Sequence, residues 1–226
     1  MRINILQHTP NENAGSILSW ADMHQHEVYV YHPYQFNGVL PTVSETDLLI
    51  ILGGPMSPND ELPWIAQERT LIYDMLQQDK PIFGACFGAQ QIAKTLGASV
   101  HKAPYKEVGW ANVHLMTTTI PNVPEMINVL HWHEEMFDMP ENAQLLFSSD
   151  LVVNQGFLVK QNVIGLQFHF EPQQNDVREI VINDGGYALE CNALSQTPET
   201  ILQMQPVDFD VNQQVMYTLL DYITSK

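Results

Sequence analysis

Asp47-Leu48-Leu49-Ile50-Ile51-Leu52 is a continuous apolar run that ends in Gly53-Gly54-Pro55. Its length suits one strand, and its aliphatic residues leave no polar face for water. A segment of this kind is satisfied as a central strand of a parallel sheet, covered by helices on both sides. The neighbouring pattern agrees with that placement. Ile3 to Gln7 reads as a first buried strand. Ala14 to His24 reads as an amphipathic helix with Ile17, Leu18 and Ala21 inward, and Glu27 to Tyr31 as a second strand rich in β-formers. A helix from about Pro63 to Gln78 carries Ile65, Leu71, Ile72, Met75 and Leu76 at helical spacing, and Pro81-Ile82-Phe83 returns to the sheet.

The alternation of strand and helix predicts an α/β sandwich with a mainly parallel sheet. From Val100 to Leu166 the pattern changes to short extended runs: Val108-Gly109-Trp110, Val113 to Met116, Leu145-Leu146-Phe147 and Gly156 to Val159. These are expected as a small antiparallel sheet layered on one side of the parallel core. Helices around Asn175 to Asn183 and Val211 to Thr224 close the chain. With 226 residues and 45% hydrophobic composition, one domain over 1–226 is the economical reading.

Charge and cysteine usage remove whole classes of function. Nine Lys+Arg stand against 26 Asp+Glu, a net charge of −17. Nucleic acid and anionic lipid both require a basic footprint, so neither is an expected partner. Two cysteines in a chain of this length exclude a disulfide scaffold and suit a reducing compartment. Met1 to Leu6 reads as a strand and not as a signal peptide, and no apolar run reaches membrane-spanning length. A cytoplasmic location is expected.

The chemistry is concentrated in Gly84-Ala85-Cys86-Phe87-Gly88-Ala89-Gln90, between the strand at Pro81–Phe83 and a helix running through Gln91 to Leu96. Glycines two residues to either side let the backbone turn sharply while the thiol stays at the tip, the construction of a nucleophile elbow. The helix N-terminus beyond it stabilises a thiolate. A strand from Val163 to Phe168 then delivers His169 and, two residues on, Glu171, with Pro172 closing the segment. Residues i and i+2 of an extended chain face the same way, so both can enter one site. Cys86 as nucleophile, His169 as base and Glu171 as the group that orients the imidazole form a complete set for acyl transfer.

These motifs resemble the class I (triad) glutamine amidotransferases: Gly-x-Cys-x-Gly-x-Gln at 84–90, Gly53-Gly54-Pro55-Met56-Ser57 upstream, and Gln167-Phe168-His169-x-Glu171 downstream. Within the family, His131-Trp132-His133-Glu134 followed by Phe137-Asp138-Met139-Pro140 is similar to the amidotransferase domain of GMP synthase and its stand-alone relatives. The resemblance implies a flavodoxin-like three-layer sandwich and hydrolysis of the glutamine side-chain amide through a γ-glutamyl thioester on Cys86. It implies an oxyanion hole from the N–H groups of Gly54 and Phe87. It also implies contacts to the substrate from Gln90 and from Asn154, Gly156 and Phe157, with His133 lining the pocket. No cofactor is implied. Phe170 stands where the family commonly has proline.

No synthetase region, P-loop or Rossmann fingerprint accompanies these motifs, so the released ammonia passes to a partner subunit or the chain is a hydrolase in its own right. Two alternatives remain: a γ-glutamyl peptidase or isopeptidase acting on a conjugate, and a regulatory or binding subunit that keeps the fold. His131, His133 and Glu134 have ligand-like spacing but no further ligand near them in sequence, so no metal is expected. Cys191 has no base or elbow beside it and is read as structural, and His24 and His26 as solvated.

Overall fold

The computed structural model describes residues 1–35, 38–203 and 208–225. Strands β1 (Arg2–Leu6), β2 (Glu27–Tyr31), β3 (Leu48–Ile51) and β4 (Ile82–Ala85) alternate with helices α1 (Ser16–Met23), α2 (Pro63–Gln77) and α3 (Phe87–Thr95). Five strands follow, β5 (Val100–Leu115), β6 (Met126–Phe137), β7 (Gln144–Ser148), β8 (Gly156–Val159) and β9 (Val163–Leu166). Helices α4 (Gln174–Leu189), α5 (Pro198–Gln203) and α6 (Phe209–Thr224) complete the chain.

The nine strands among the described residues belong to one sheet, ordered β2-β1-β3-β4-β9-β8-β7-β5-β6. The first five are parallel and follow the 2-1-3-4-5 order of flavodoxin-like folds. The alternation of β3 shows why the apolar run had no polar face. Leu48, Ile50 and Leu52 pack with Ile17 and Trp20 of α1 and Val215 to Ile223 of α6. Leu49 and Ile51 pack on the opposite side with Leu71, Ile72 and Met75 of α2 and Ile92 of α3. Truncating such a residue to alanine costs about 2–5 kcal/mol through lost burial and the cavity left behind.

The antiparallel strands join this sheet instead of forming a layer of their own. β9 pairs in parallel with β4 through Val163 to Leu166, and the same residues pair antiparallel with β8. The far edge then curls back: His169, just past β9, forms an antiparallel bridge with Leu130 of β6. That curl brings β6 over the carboxyl ends of β4 and β9.

Several local expectations change. The run at 108–110 and residues 113–115 of the next belong to the single long strand β5, whose register shifts between Lys102 and Glu107. β6 was hidden by the polar content of His131-Trp132-His133-Glu134-Glu135. Leu18 points to solvent and Trp20 takes its place in the core. The helix expected at 175–183 continues to Leu189 past a non-helical Asp184 (φ −130°, ψ 18°). Cys191 is exposed and unpaired, so it has no core role.

Candidate active site

Cys86 sits between β4 and α3 with φ 50° and ψ −110°. A non-glycine residue in that region is strained, and strain held by surrounding structure is typical of a nucleophile elbow. Gly88 permits it: a Cβ there would overlap the Ile51 carbonyl oxygen, so only glycine lets α3 settle onto β3. The elbow is anchored by the Cys86 N–H donating to the Leu166 carbonyl at 2.7 Å, which fastens it to the strand that delivers His169. Phe87 opens α3, where first-turn N–H groups lack intrahelical acceptors.

His169 Nδ1 lies 2.5 Å from Glu171 Oε1, and both residues are buried. Burial works against the imidazolium, but the Glu171 charge and hydrogen bonds to Cys86 and Glu171 outweigh it and hold His169 well above the ordinary histidine range. The thiol also meets the Trp132 carbonyl at 3.9 Å and Gln167 Nε2 at 3.7 Å. Gln167 Oε1 in turn accepts from Gln90 Nε2 at 3.2 Å. Such an arrangement can deprotonate a thiol, add it to a carbonyl and return the proton to a leaving amine.

A cavity of about 330 Å³ opens above Cys86. Gly54, Gln90 and His133 line it, as expected from the sequence, together with Trp132 and Tyr187. The three other residues expected to contact the substrate, Asn154, Gly156 and Phe157, do not line it. Phe157 packs edge-on against Phe137 at 5.1 Å and over Gly165, its cross-strand partner. Gly156 is buried in β8, and Asn154 Nδ2 is turned onto the Phe137 carbonyl at 3.1 Å. The β8 register assigns Gly156 and Phe157 to the sheet interior, while Asn154 lies ahead of the strand and is half-buried.

Four residues at the site carried little or no sequence signal. Glu12 lies in a polar loop and enters the cavity beside His169. Asp184 comes from the break in α4 and accepts from Trp132 Nε1 at 2.9 Å. Gln167 stood in a quoted motif without a role. Glu107 is the cross-strand partner of His133, placing it where Glu134 was sought. Its carboxylate lies 3.2 Å from His133 Nε2 and 3.8 Å from His131 Nδ1.

Ligand atoms of Glu107, His131 and His133 lie within 4.8 Å of one another, so these three could hold a metal ion. Glu107 also accepts from Gln155 Nε2 at 2.7 Å and Ser149 Oγ at 3.2 Å. Burial alone would raise its pKa, but His133, His131 and Ser149 bring it below the ordinary carboxylate range.

Comparison with known proteins agrees with this geometry. The sequence model of the glutamine amidotransferase class-I family matches residues 17–186. The glutamine amidotransferase-like protein YfeJ of Salmonella typhimurium is 29% identical over 181 residues, covering 76% of each chain. The glutamine-hydrolyzing GMP synthase subunit of Thermoplasma acidophilum is 35% identical over 129 residues, 55% of this chain and 63% of that one. The crystal structure of a glutamine amidotransferase from Thermotoga maritima superposes with a TM-score of 0.91 at 25% identity, over 100% of this chain and 99% of that one. No helix among the described residues is long and apolar enough to cross a membrane.

Proposed function

The chain belongs to the class I glutamine amidotransferases, and from that membership we propose that it hydrolyses γ-glutamyl amide bonds, the side-chain amide of glutamine among them. The observation that carries the reading is the buried His169–Glu171 pair facing the strained thiol of Cys86. Cys86 attacks the γ-carbonyl carbon and the C–N bond breaks. The departing nitrogen takes the proton held on His169, leaving a γ-glutamyl thioester. Water then gives a proton to His169 as it adds to the thioester; the C–S bond breaks and glutamate departs. The oxyanion is held by the N–H groups of Gly54 and Phe87, each worth about 3–4 kcal/mol in sites of this kind. Gln90 contacts the glutamyl group, and His133 shapes the wall beside it.

The likeness to a GMP synthase subunit supports transfer of the ammonia to a partner. A second reading, cleavage of a γ-glutamyl conjugate, is favoured by a cavity of about 330 Å³, which leaves room beyond the amide. Ammonia release from glutamine, and amine release from a panel of γ-glutamyl amides, tests both. Turnover is expected with the native chain and not with Cys86→Ala. Turnover that survives Cys86→Ala, or none with any γ-glutamyl amide, overturns the reading.

A further inference from the structure

Of the side chains that line the catalytic cavity, five are carboxylates and none is a lysine or arginine. Three of the five are already engaged. Asp60 accepts from the Ser57 N–H at 3.0 Å, Glu134 lies 3.8 Å from Lys102, and Glu135 acts on the charge of Lys94. Glu12 and Asp184 have no lysine or arginine partner among the described residues. Glu12 has no hydrogen bond to those residues either, whereas Asp184 takes only the Trp132 indole N–H.

The position of Glu12 tells what it would contact. An ideal Cβ on Gly53 would overlap Glu12 Oε2 and fall 3.0 Å from His169 Cε1. The carboxylate therefore occupies the space that Gly53 leaves empty, alongside the catalytic imidazole. His169 must hand its proton to the departing nitrogen, so whatever is attached to that nitrogen passes Glu12. Gln90, which also lines the cavity, is left for the glutamyl half. At the mouth, Asp184 is fixed against Trp132, whose ring lies 6.1 Å from that of Tyr187. A carboxylate beside aromatic faces is a common arrangement for holding an ammonium group. Burial pushes the Glu12 carboxyl up; His169 and His8 oppose this, Glu171 and Asp184 add to it, and the balance stays upward, so a bound cation would offset a remaining cost.

We propose that the preferred substrate is a γ-glutamyl amide whose leaving amine carries a second, positively charged nitrogen, as a diamine, polyamine or basic amino acid would. Glu12 and Asp184 receive that distal ammonium against Trp132 and Tyr187. The inference rests on the γ-glutamyl hydrolase reading, deepens it at the leaving-group side, and makes glutamine the poorer substrate.

Two measurements test it separately. The first compares kcat/KM for γ-glutamyl-1,4-diaminobutane, its neutral isostere γ-glutamyl-pentylamide, and glutamine. A charge-assisted contact predicts a preference of about tenfold or more for the diamine conjugate over the isostere, reduced several-fold by Glu12→Gln and by Asp184→Asn. The second measures binding of the two conjugates to the Cys86→Ala chain by calorimetry, with and without Glu12→Gln. Equal rates and equal affinities for the charged and neutral conjugates overturn the proposal, as does a preference that survives both carboxylate substitutions. Absence of all turnover would instead sink the hydrolase reading, and the binding comparison would still decide the cation contact.

Discussion

The backbone N–H of His169 donates to the Leu130 carbonyl at 2.9 Å. His169 is thus fastened by main chain to the returning edge of the sheet, independently of the Glu171 carboxylate on its ring. β6 supplies that carbonyl and, two residues later, the carbonyl of Trp132 beside the thiol. The antiparallel half of the sheet is therefore the clamp that closes the site over the parallel half.

Because the backbone holds His169, Glu171→Gln should separate chemistry from folding. Burial alone disfavours the imidazolium, and the Glu171 charge is the largest influence opposing it. Removing that charge lowers the His169 pKa and shrinks the population of imidazolium paired with thiolate. We expect kcat to fall about 10²–10⁴-fold, the alkaline limb of the pH–rate profile to move to lower pH, and Tm to change little. An unshifted alkaline limb would show that Glu171 does not set the charge on His169.

Two glycines near the elbow should fail differently. An alanine at Gly88 collides with the backbone carbonyl of Ile51, which cannot move without displacing α3 from β3. Overpacking of this kind costs about 1–3 kcal/mol, or about 2–4 °C of Tm for each kcal/mol in a chain of this size. An alanine at Gly53 meets the far end of the flexible Glu12 side chain and the edge of His169. Gly53→Ala should therefore lower kcat with only a small change in Tm. Equal losses of Tm in the two variants would contradict this division.

The parallel half was legible because its strands carry their signal locally: Leu48 to Leu52 need burial on both faces wherever they are placed. The grouping of Cys86, His169 and Glu171 was legible for a related reason, since the elbow and the i, i+2 pair are each short-range patterns. The antiparallel half was less so. Glu107 and His133 become neighbours only through the β5–β6 register, across 26 residues of sequence. β6 looked irregular because its inward face buries a polar network instead of an apolar stripe. Asn154, Gly156 and Phe157 were assigned to the substrate by resemblance; here the strand register turns Gly156 and Phe157 into the sheet, and Asn154 is bonded to the Phe137 carbonyl. Glu12 had no local mark, for its meaning depends on the void above Gly53.

His8 and Glu68 form a second buried pair behind the site, with Nε2 and Oε2 2.8 Å apart and both side chains inaccessible. His8 Nδ1 faces the carbonyls of Leu52 and Gly53 at 3.1 and 3.2 Å, so the pair braces the turn that carries Gly54. Gln91 Nε2 adds a bond to Glu68 Oε1 at 3.0 Å. Glu68→Ala leaves His8 and Gln91 without their partner in the interior, which should cost about 3–5 kcal/mol. Glu68→Gln keeps the shape and should cost less. Urea unfolding measures both, and a Glu68→Ala cost below about 1 kcal/mol would show that the pair is dispensable.

The buried histidines should also set the acid limit of stability, with opposite signs. Burial is the main force holding the His131 imidazole down, to about 3. Below its ordinary value the unfolded chain takes up a proton that the folded chain refuses until about pH 3. Stability therefore falls as pH drops through that window, by up to about 1.4 kcal/mol per pH unit for one group. Glu107, held below the ordinary carboxylate range, acts in the same direction: its contribution is present above the unfolded carboxylate pKa and is lost as pH falls through the folded value. His169 is raised, so its contribution is present below the ordinary histidine pKa and is lost as pH rises through the folded value. Between about pH 6 and 4.5 Glu107 is still ionised in both states over most of the range, while the raised Glu12 acts against His131, so the His131 share is read by comparing urea unfolding of the native chain with that of His131→Asn. His131→Asn should flatten the slope there, whatever it does to the absolute stability. A slope unchanged by the substitution would place the acid sensitivity elsewhere in the chain.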